Sequence, residues 1–546
     1  MLRLRTRLPV LLLAVSLLGL ALPVLLATAA DNPSPPPVST VVQTTNGKVR
    51  GVSQTGYNEW LGIPYAAAPT GQLRWSPPQP APAWDGVRDA SGFGDRCAQN
   101  TSWDPGYEQP VLTEDCLSLN VYVPAGARGN LPVLVWIYGG GWTGGSNQDV
   151  NPRRFVQETN SIVVTINYRV GALGFLNLPQ LRQENPNGPG NYGLLDQQAA
   201  LRWVQANISR FGGNSHDVTI AGQSAGATSV YAQLASPTAK GLFSRAIIMS
   251  CSCRMDSPQA AEQASLAFVK QVGCSTDPDV LGCLRRKPTA DILAAQQTAG
   301  LRVSTGGASF PVDPLTAIRA GNFNRVPVLI GQVVNERAFA TFRSYDMVGK
   351  PMTAAQYEGL VRSTFGANAD KVLAEYPAAS FASPGEAWTT VFGDYEATTR
   401  QGIYGQLSRF VPTYAYEFAE GGTQYTSIYR VQQTSEVARN YPFGATHVDD
   451  LGYLWEYLGQ TLPYSDDELE LSDQMTSFWG NFVATGDPNG PRTPDWPKYD
   501  PAADEQMWLV ACQTAPGSGK TPAACSKVTD QFSALHRTAF WNGLTA

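Results

Sequence analysis

One serine bracketed by glycines, a triplet of glycines upstream of it and three histidines are the parts from which this chain could assemble nucleophilic chemistry. The stretch Asp217-Val-Thr-Ile-Ala-Gly222-Gln-Ser224-Ala-Gly226-Ala227 reads as a β-run, then Gly-x-Ser-x-Gly, then small residues opening a helix. Glycines two before and two after Ser224 let a strand turn sharply into a helix. That turn pushes the serine oxygen out at the strand's carboxyl end. Such a serine attacks an acyl carbon when a base takes its proton and amide donors receive the new alkoxide. A five-residue motif arises easily by chance, so the remaining parts decide its meaning.

Donors come first. The amide after the serine supplies one, and an upstream loop the others. Leu131-Pro-Val-Leu-Val-Trp-Ile-Tyr138 is an apolar run of the kind that forms a fully buried strand, and Gly139, Gly140 and Gly141 follow at once. Backbone amides there can approach a developing oxyanion with no Cβ in the way. We assign the hole to Gly140, Gly141 and Ala225. Loss of one such donor costs about 3–4 kcal/mol of transition-state stabilisation.

The base must be one of His216, His447 and His536. Where the order is serine, acid, histidine, His216 stands on the wrong side of Ser224. His536 lies in Phe532-Ser-Ala-Leu-His-Arg-Thr-Ala-Phe-Trp541, whose apolar residues recur at helical spacing, and reads as a partly exposed helix-surface residue. His447 follows Pro442-Phe-Gly-Ala-Thr in a glycine-containing loop that enters an amphipathic helix, a place from which side chains reach clefts. His447 is the expected base.

The acid lies between serine and base. Val326-Pro-Val-Leu-Ile-Gly331 reads as a strand, and Glu336 falls just past its end, where catalytic groups gather in open α/β sheets. Asp313, in Phe310-Pro-Val-Asp-Pro-Leu, is the runner-up and Asp394 the third choice. Strand ends that carry such groups fit one large α/β domain with insertions.

Taken together, the residues resemble the type-B carboxylesterase family of α/β-hydrolases: carboxylesterases, cholinesterases, fungal lipases and bacterial para-nitrobenzyl esterases. The resemblance rests on Glu114-Asp-Cys-Leu-Ser-Leu-Asn-Val-Tyr-Val-Pro124, the Tyr-Gly-Gly-Gly loop, Asn191-Tyr-Gly-Leu-Leu-Asp-Gln197, Gly212-Gly-Asn-Ser-His-Asp-Val-Thr-Ile220 and the Gln-Ser-Ala-Gly elbow. It runs from about Thr44 to Trp541 and implies the α/β-hydrolase fold: a large, mostly parallel central sheet flanked by helices, with helical insertions. It implies Ser224 as nucleophile, Glu336 as acid, His447 as base and the same oxyanion donors. Arg74 with Glu114, and Arg169 with Asp196, look like the family's structural ion pairs. Cys97 with Cys116, and Cys274 with Cys283, match loops that the family closes by disulfides, which leaves Cys512 to pair with Cys525.

Some positions depart from the family. Gln223 stands where it usually has glutamate, which argues against choline esters. Trp103 is placed too differently to serve as a choline-stacking tryptophan. Cys251-Ser-Cys253 replaces a usual Ser-Gly, and these two cysteines either bridge or stay free.

Composition sets the outer limits. With 43% hydrophobic and 15% charged residues, the chain is globular and has a large core. Residues 1–30 read as a signal peptide, with Arg3, Arg5 and Arg7 before an apolar run and Ala27-Thr28-Ala29 at the cleavage site. An uncleaved anchor is the alternative reading. A proline-rich linker follows over 31–43, and a single hydrolase domain over 44–546. Eight cysteines in an exported chain point to disulfides and to a secreted or periplasmic protein. No Cys pair stands near a His at zinc spacing, so neither a metal nor a cofactor is expected. The net charge of −6 disfavours nucleic acid and anionic membranes as partners. Oligomeric state is not encoded in any of these features. Asn100-Thr-Ser and Asn207-Ile-Ser are glycosylation sequons.

The expected partner is a small-molecule ester. Trp142, Phe339 and Trp455 lie close in sequence to the catalytic segments and are candidates to line an apolar pocket for short acyl chains and aromatic alcohols. A lipase for long-chain acylglycerols, lidded by the Cys97–Cys116 loop, is the second reading. A binding module that kept the fold and lost the chemistry is the third, and the intact Ser224, Glu336 and His447 argue against it.

Overall fold

The computed structural model describes residues 39–545 except 101–109, 187–189, 297–299, 422–440, 458–463, 492 and 513–523. The signal segment, most of the linker, Trp103 and the tip of the expected lid lie outside the described residues. Val41–Gln43, assigned above to the linker, is a strand paired antiparallel with Lys48–Arg50. The folded body therefore begins earlier than Thr44.

Eleven strands build the main sheet. In chain order they are β1 (Val52–Gln54), β2 (Tyr57–Pro64), β3 (Ser118–Pro124), β4 (Leu131–Ile137), β5 (Ile162–Ile166), β6 (Gly213–Gln223), β7 (Arg245–Met249), β8 (Val328–Val333), β9 (Thr413–Phe418), β10 (Gln506–Leu509) and β11 (Lys527–Thr529). Across the sheet they run β11-β10-β9-β8-β7-β6-β4-β5-β3-β2-β1. Every neighbouring pair from β10 to β5 is parallel. Both margins are antiparallel. The carboxyl ends of β4, β6 and β8 therefore lie along one edge of the sheet, and that edge is where the site forms.

Parallel strands are covered on both faces by crossover helices, which is why they read as continuous apolar runs. Val133, Val135 and Ile137 of β4 enter one core, and Leu134 and Trp136 enter the other. Helix α1 (Tyr192–Asn207) is mostly buried and helix α2 (Ala225–Ala235) wholly so. Helix α3 (Pro384–Ser408) starts at the Ser383 cap with proline in its first turn and spans 25 residues. Helix α4 (Asp466–Thr485) has a capping box of Ser465 and Glu468 and ends on left-handed Gly486. Among the described residues no helix is long and apolar enough to cross a membrane.

Four disulfides are present. Cys97 pairs with Cys116, Cys274 with Cys283 and Cys512 with Cys525, and Cys251 bridges to Cys253 across a single serine. Arg169 and Asp196 form a fork at 2.8 Å, both contacts buried. Arg74 pairs with Glu114 and also donates to the carbonyl of Lys287 at 2.8 Å. Asn207 corrects one expectation: it is fully buried, and its amide donates to the Trp203 carbonyl at 3.0 Å. A glycan has no room there.

Candidate active site

Ser224 sits between β6 and α2 with φ 57° and ψ −120°, a conformation that side chains rarely adopt. The flanking glycines have a steric cause. A Cβ on Gly226 would stand 2.0 Å from the Ile137 carbonyl oxygen, and one on Gly222 would stand 2.6 Å from the Gly226 backbone. The turn is that tight because strand and helix nearly touch. The Ser224 amide is held by the Met249 carbonyl at 2.9 Å, and the side chain is left facing outward.

The glycine loop lies beside it. Gly140 and Gly141 have φ of +99° and +62°, and a Cβ on Gly140 would lie 2.4 Å from the Gly144 oxygen. Their amides find no acceptor among the described residues. Ala225 opens α2, so its amide belongs to the first turn, whose N–H groups have no partner inside the helix.

Glu336 and His447 reach Ser224 from two further segments. Glu336 stands three residues past the end of β8 and is buried. His447 ends a loop that passes into a short 3₁₀ turn, Asp449–Tyr453, where an amphipathic helix was expected. Asn335 joins the two segments: its amide donates to the Ala445 carbonyl at 2.8 Å, and its side-chain oxygen accepts from the Ala445 amide at 3.1 Å. The amide of Phe339 donates to Thr446 Oγ1 at 3.1 Å. Gln223 adds a fourth tie, its Nε2 donating to the His447 carbonyl at 2.5 Å. A glutamate there, as is usual in the family, could not donate that bond without first taking up a proton.

The result is a hydrogen-bonded line. Ser224 Oγ lies 2.8 Å from His447 Nε2, and His447 Nδ1 bonds to Glu336 Oε2. Burial alone would push the Glu336 carboxyl up. The adjacent Arg400 guanidinium and His447 outweigh it and hold the carboxyl down at about 2. The carboxylate is therefore charged at any ordinary working pH.

The alternatives have other tasks. Asp313 caps the helix Pro314–Arg319, accepting from the Leu315 amide at 3.0 Å. His216 is exposed, well upstream of the elbow. His536 was expected to be partly exposed, but only 2% of it is. The chain breaks its helical run there, with Arg537 left-handed at φ 47°. The imidazole turns inward between Asp394 Oδ1 at 2.9 Å and Glu417 Oε1 at 2.6 Å. Burial works against its charge, but the two carboxylates prevail and hold its pKa up at about 10.

A raised histidine pKa stabilises the fold fully below the unfolded value of about 6.5, and the contribution fades as pH climbs through about 10. His536→Gln should therefore lower the melting temperature most below about pH 6.5, the gap closing toward pH 10. Thermal scans across that range test this, and a gap independent of pH contradicts it.

The line opens into a cavity of about 580 Å³ that contains the glycine loop. Trp142 and Phe339 line it, together with Leu301 and Val448. Trp455 does not. Its ring packs on Trp136 and Phe155, at centroid distances of 5.3 and 5.0 Å, in the core on the other face of the sheet. The turn after His447 carries it away from the cavity. The sequence reading missed Arg337, Glu396 and Arg400, which form an ionic wall. Their one sequence signal is a glutamate four residues before an arginine on α3.

Fold and site together define a hydrolase of the α/β type. Residues 38–526 match the carboxylesterase family, and the chain belongs to that family; it is a carboxylic-ester hydrolase. It is 32% identical over 515 residues to an acetylcholinesterase of Bungarus fasciatus, covering 86% of this chain and 82% of that one. It is also 32% identical over 509 residues to a fumonisin B1 esterase of Sphingopyxis macrogoltabida, covering 89% of each. Among solved structures it resembles a PNB esterase, with TM-score 0.76 and 27% identity over 92% of this chain and all of that one.

Proposed function

We propose that the protein is an exported serine esterase that cleaves short- to medium-chain or aromatic esters through an acyl-enzyme. The observation that carries this reading is the line Ser224–His447–Glu336 at the floor of a cavity that also contains the glycine loop. His447 takes the Ser224 proton as Oγ attacks the ester carbon. Glu336 keeps the imidazole in the tautomer that accepts that proton and stabilises the imidazolium. The amides of Gly140, Gly141 and Ala225 receive the alkoxide. His447 then gives its proton to the leaving alcohol, and water, activated by the same imidazole, releases the acid. No step calls for a metal or cofactor.

Substrate size follows from the cavity. About 580 Å³, with Trp142, Leu301, Phe339 and Val448 as the apolar part of its lining beside the ionic wall, suits a small ester. Export is supported by the basic-apolar leader and by four disulfides, which persist in oxidising compartments.

The test is a para-nitrophenyl ester series from acetate to palmitate on the purified mature protein. Activity should peak at short chains. A rate that climbs with chain length and jumps when the substrate forms an emulsion supports a lipase instead.

A further inference from the structure

Arg400 belongs to no step of that chemistry, yet it is a charged side chain only 3% exposed beside the reacting groups. It projects from α3 across the carboxyl end of β8. Its Nε donates to the Cys251 carbonyl at 2.7 Å and its Nη1 to Gln332 Oε1 at 2.8 Å. The same Nη1 lies 3.2 Å from Glu336 Oε1. Two neutral acceptors thus fix the guanidinium, so its place does not depend on the carboxylate it faces.

Glu336 needs such a neighbour. Its Oε2 is engaged by His447, while its buried Oε1 faces the Arg400 guanidinium, and the Ser250 hydroxyl is the one neutral donor that also favours its charge. In the resting state a neutral imidazole leaves the carboxylate's charge uncompensated. Asp450 from the 3₁₀ turn aggravates this when ionised; the nearby phenols Tyr416 of β9 and Tyr404 of α3 stay neutral, and Glu417 and Glu396 act on Arg400. Arg337 is bound to Glu396, and His536 is placed between Glu417 and Asp394. Arg400 is the cation against Glu336 itself.

We propose that Arg400 is a positioning residue for the triad acid, a guanidinium held by Cys251 and Gln332 that keeps Glu336 ionised and its Oε2 turned to His447. The proposal rests on the triad reading above. In that reading Glu336 must be charged before the imidazolium forms. A buried carboxyl that loses a cation within 4–6 Å takes up its proton about 1–3 pH units higher. Lysine at 400 would keep the charge but lose the planar fork that makes both neutral contacts.

Arg400→Met and Arg400→Lys are prepared in the full chain, alone and on Glu336→Gln. Competent serines are counted with a fluorescent phosphonate, and kcat/KM for a para-nitrophenyl ester is followed from about pH 4 to about pH 9. In Arg400→Met the Glu336 carboxyl, held at about 2 in the wild type, should rise to about 3–5, so the extra loss appears at the acid end, up to roughly tenfold at pH 4 and little above pH 6. Arg400→Lys should keep the wild-type limb with a lower kcat. On Glu336→Gln the methionine change should alter kcat/KM by less than about threefold, because the group it serves is gone. Unmoved limbs in labelled protein, or a full methionine effect on Glu336→Gln, overturn the proposal. Should Arg400→Met not fold, a displaced limb in Arg400→Lys does the same. A wild-type protein that fails to react with the phosphonate sinks the triad reading instead.

Discussion

Ser224→Ala should lower kcat on a short para-nitrophenyl ester by about 10⁴–10⁶-fold while leaving the melting temperature within a few degrees of wild type. The size follows from the role. In the proposed mechanism Oγ is the atom that bonds to the acyl carbon, and among the described residues no other hydroxyl is hydrogen-bonded to His447. The elbow itself should survive, because its shape is set by backbone contacts between Gly222, Gly226 and Ile137. Residual turnover above the uncatalysed rate should remain, since the oxyanion donors and the cavity still bind the ester. A variant retaining a tenth of wild-type kcat would show that another group is the nucleophile.

Glu336→Gln should cost about 10⁴-fold in kcat, comparable to replacing the acid of other such triads. The amide is nearly isosteric with the carboxylate, so the packing around β8 should hold. The loss is electrostatic: the neutral side chain neither fixes the imidazole tautomer nor stabilises the imidazolium. It also leaves Arg400 without its nearest counter-charge, so some destabilisation should accompany the loss in rate. Asp313→Asn provides the contrast. Asparagine caps helices about as well as aspartate, so stability and rate should both stay near wild type. Kinetics on the two purified variants separate these roles, and the reverse ranking would move the acid to Asp313.

How legible these features were depended on the range of the forces behind them. The elbow and the glycine loop could be read because they are local: close backbone contact at Gly222, Gly226 and Gly140 demands glycine whatever the surroundings. Glu336 could be read from its place just past a buried strand, once chain order was added. The face on which a side chain falls could not. Trp455 follows His447 by eight residues, yet one turn sends it to the opposite core. His536 looked like a surface residue because its helical spacing continues through a left-handed residue that no glycine announces. Arg400 was invisible for a different reason. Its partners Cys251, Gln332 and Glu336 come from two strand ends that only the sheet order brings together. The Gln223 tie to the His447 loop depends equally on tertiary structure.

The central claim is that Ser224 is the nucleophile activated by His447 and Glu336. It is tested most directly by titrating the wild-type protein with a para-nitrophenyl phosphonate, following activity, released nitrophenol and intact mass, and then mapping the labelled peptide. The account predicts one equivalent of nitrophenol, activity lost in proportion, and the adduct on Ser224. An adduct on another residue, or full activity after prolonged exposure, would contradict it.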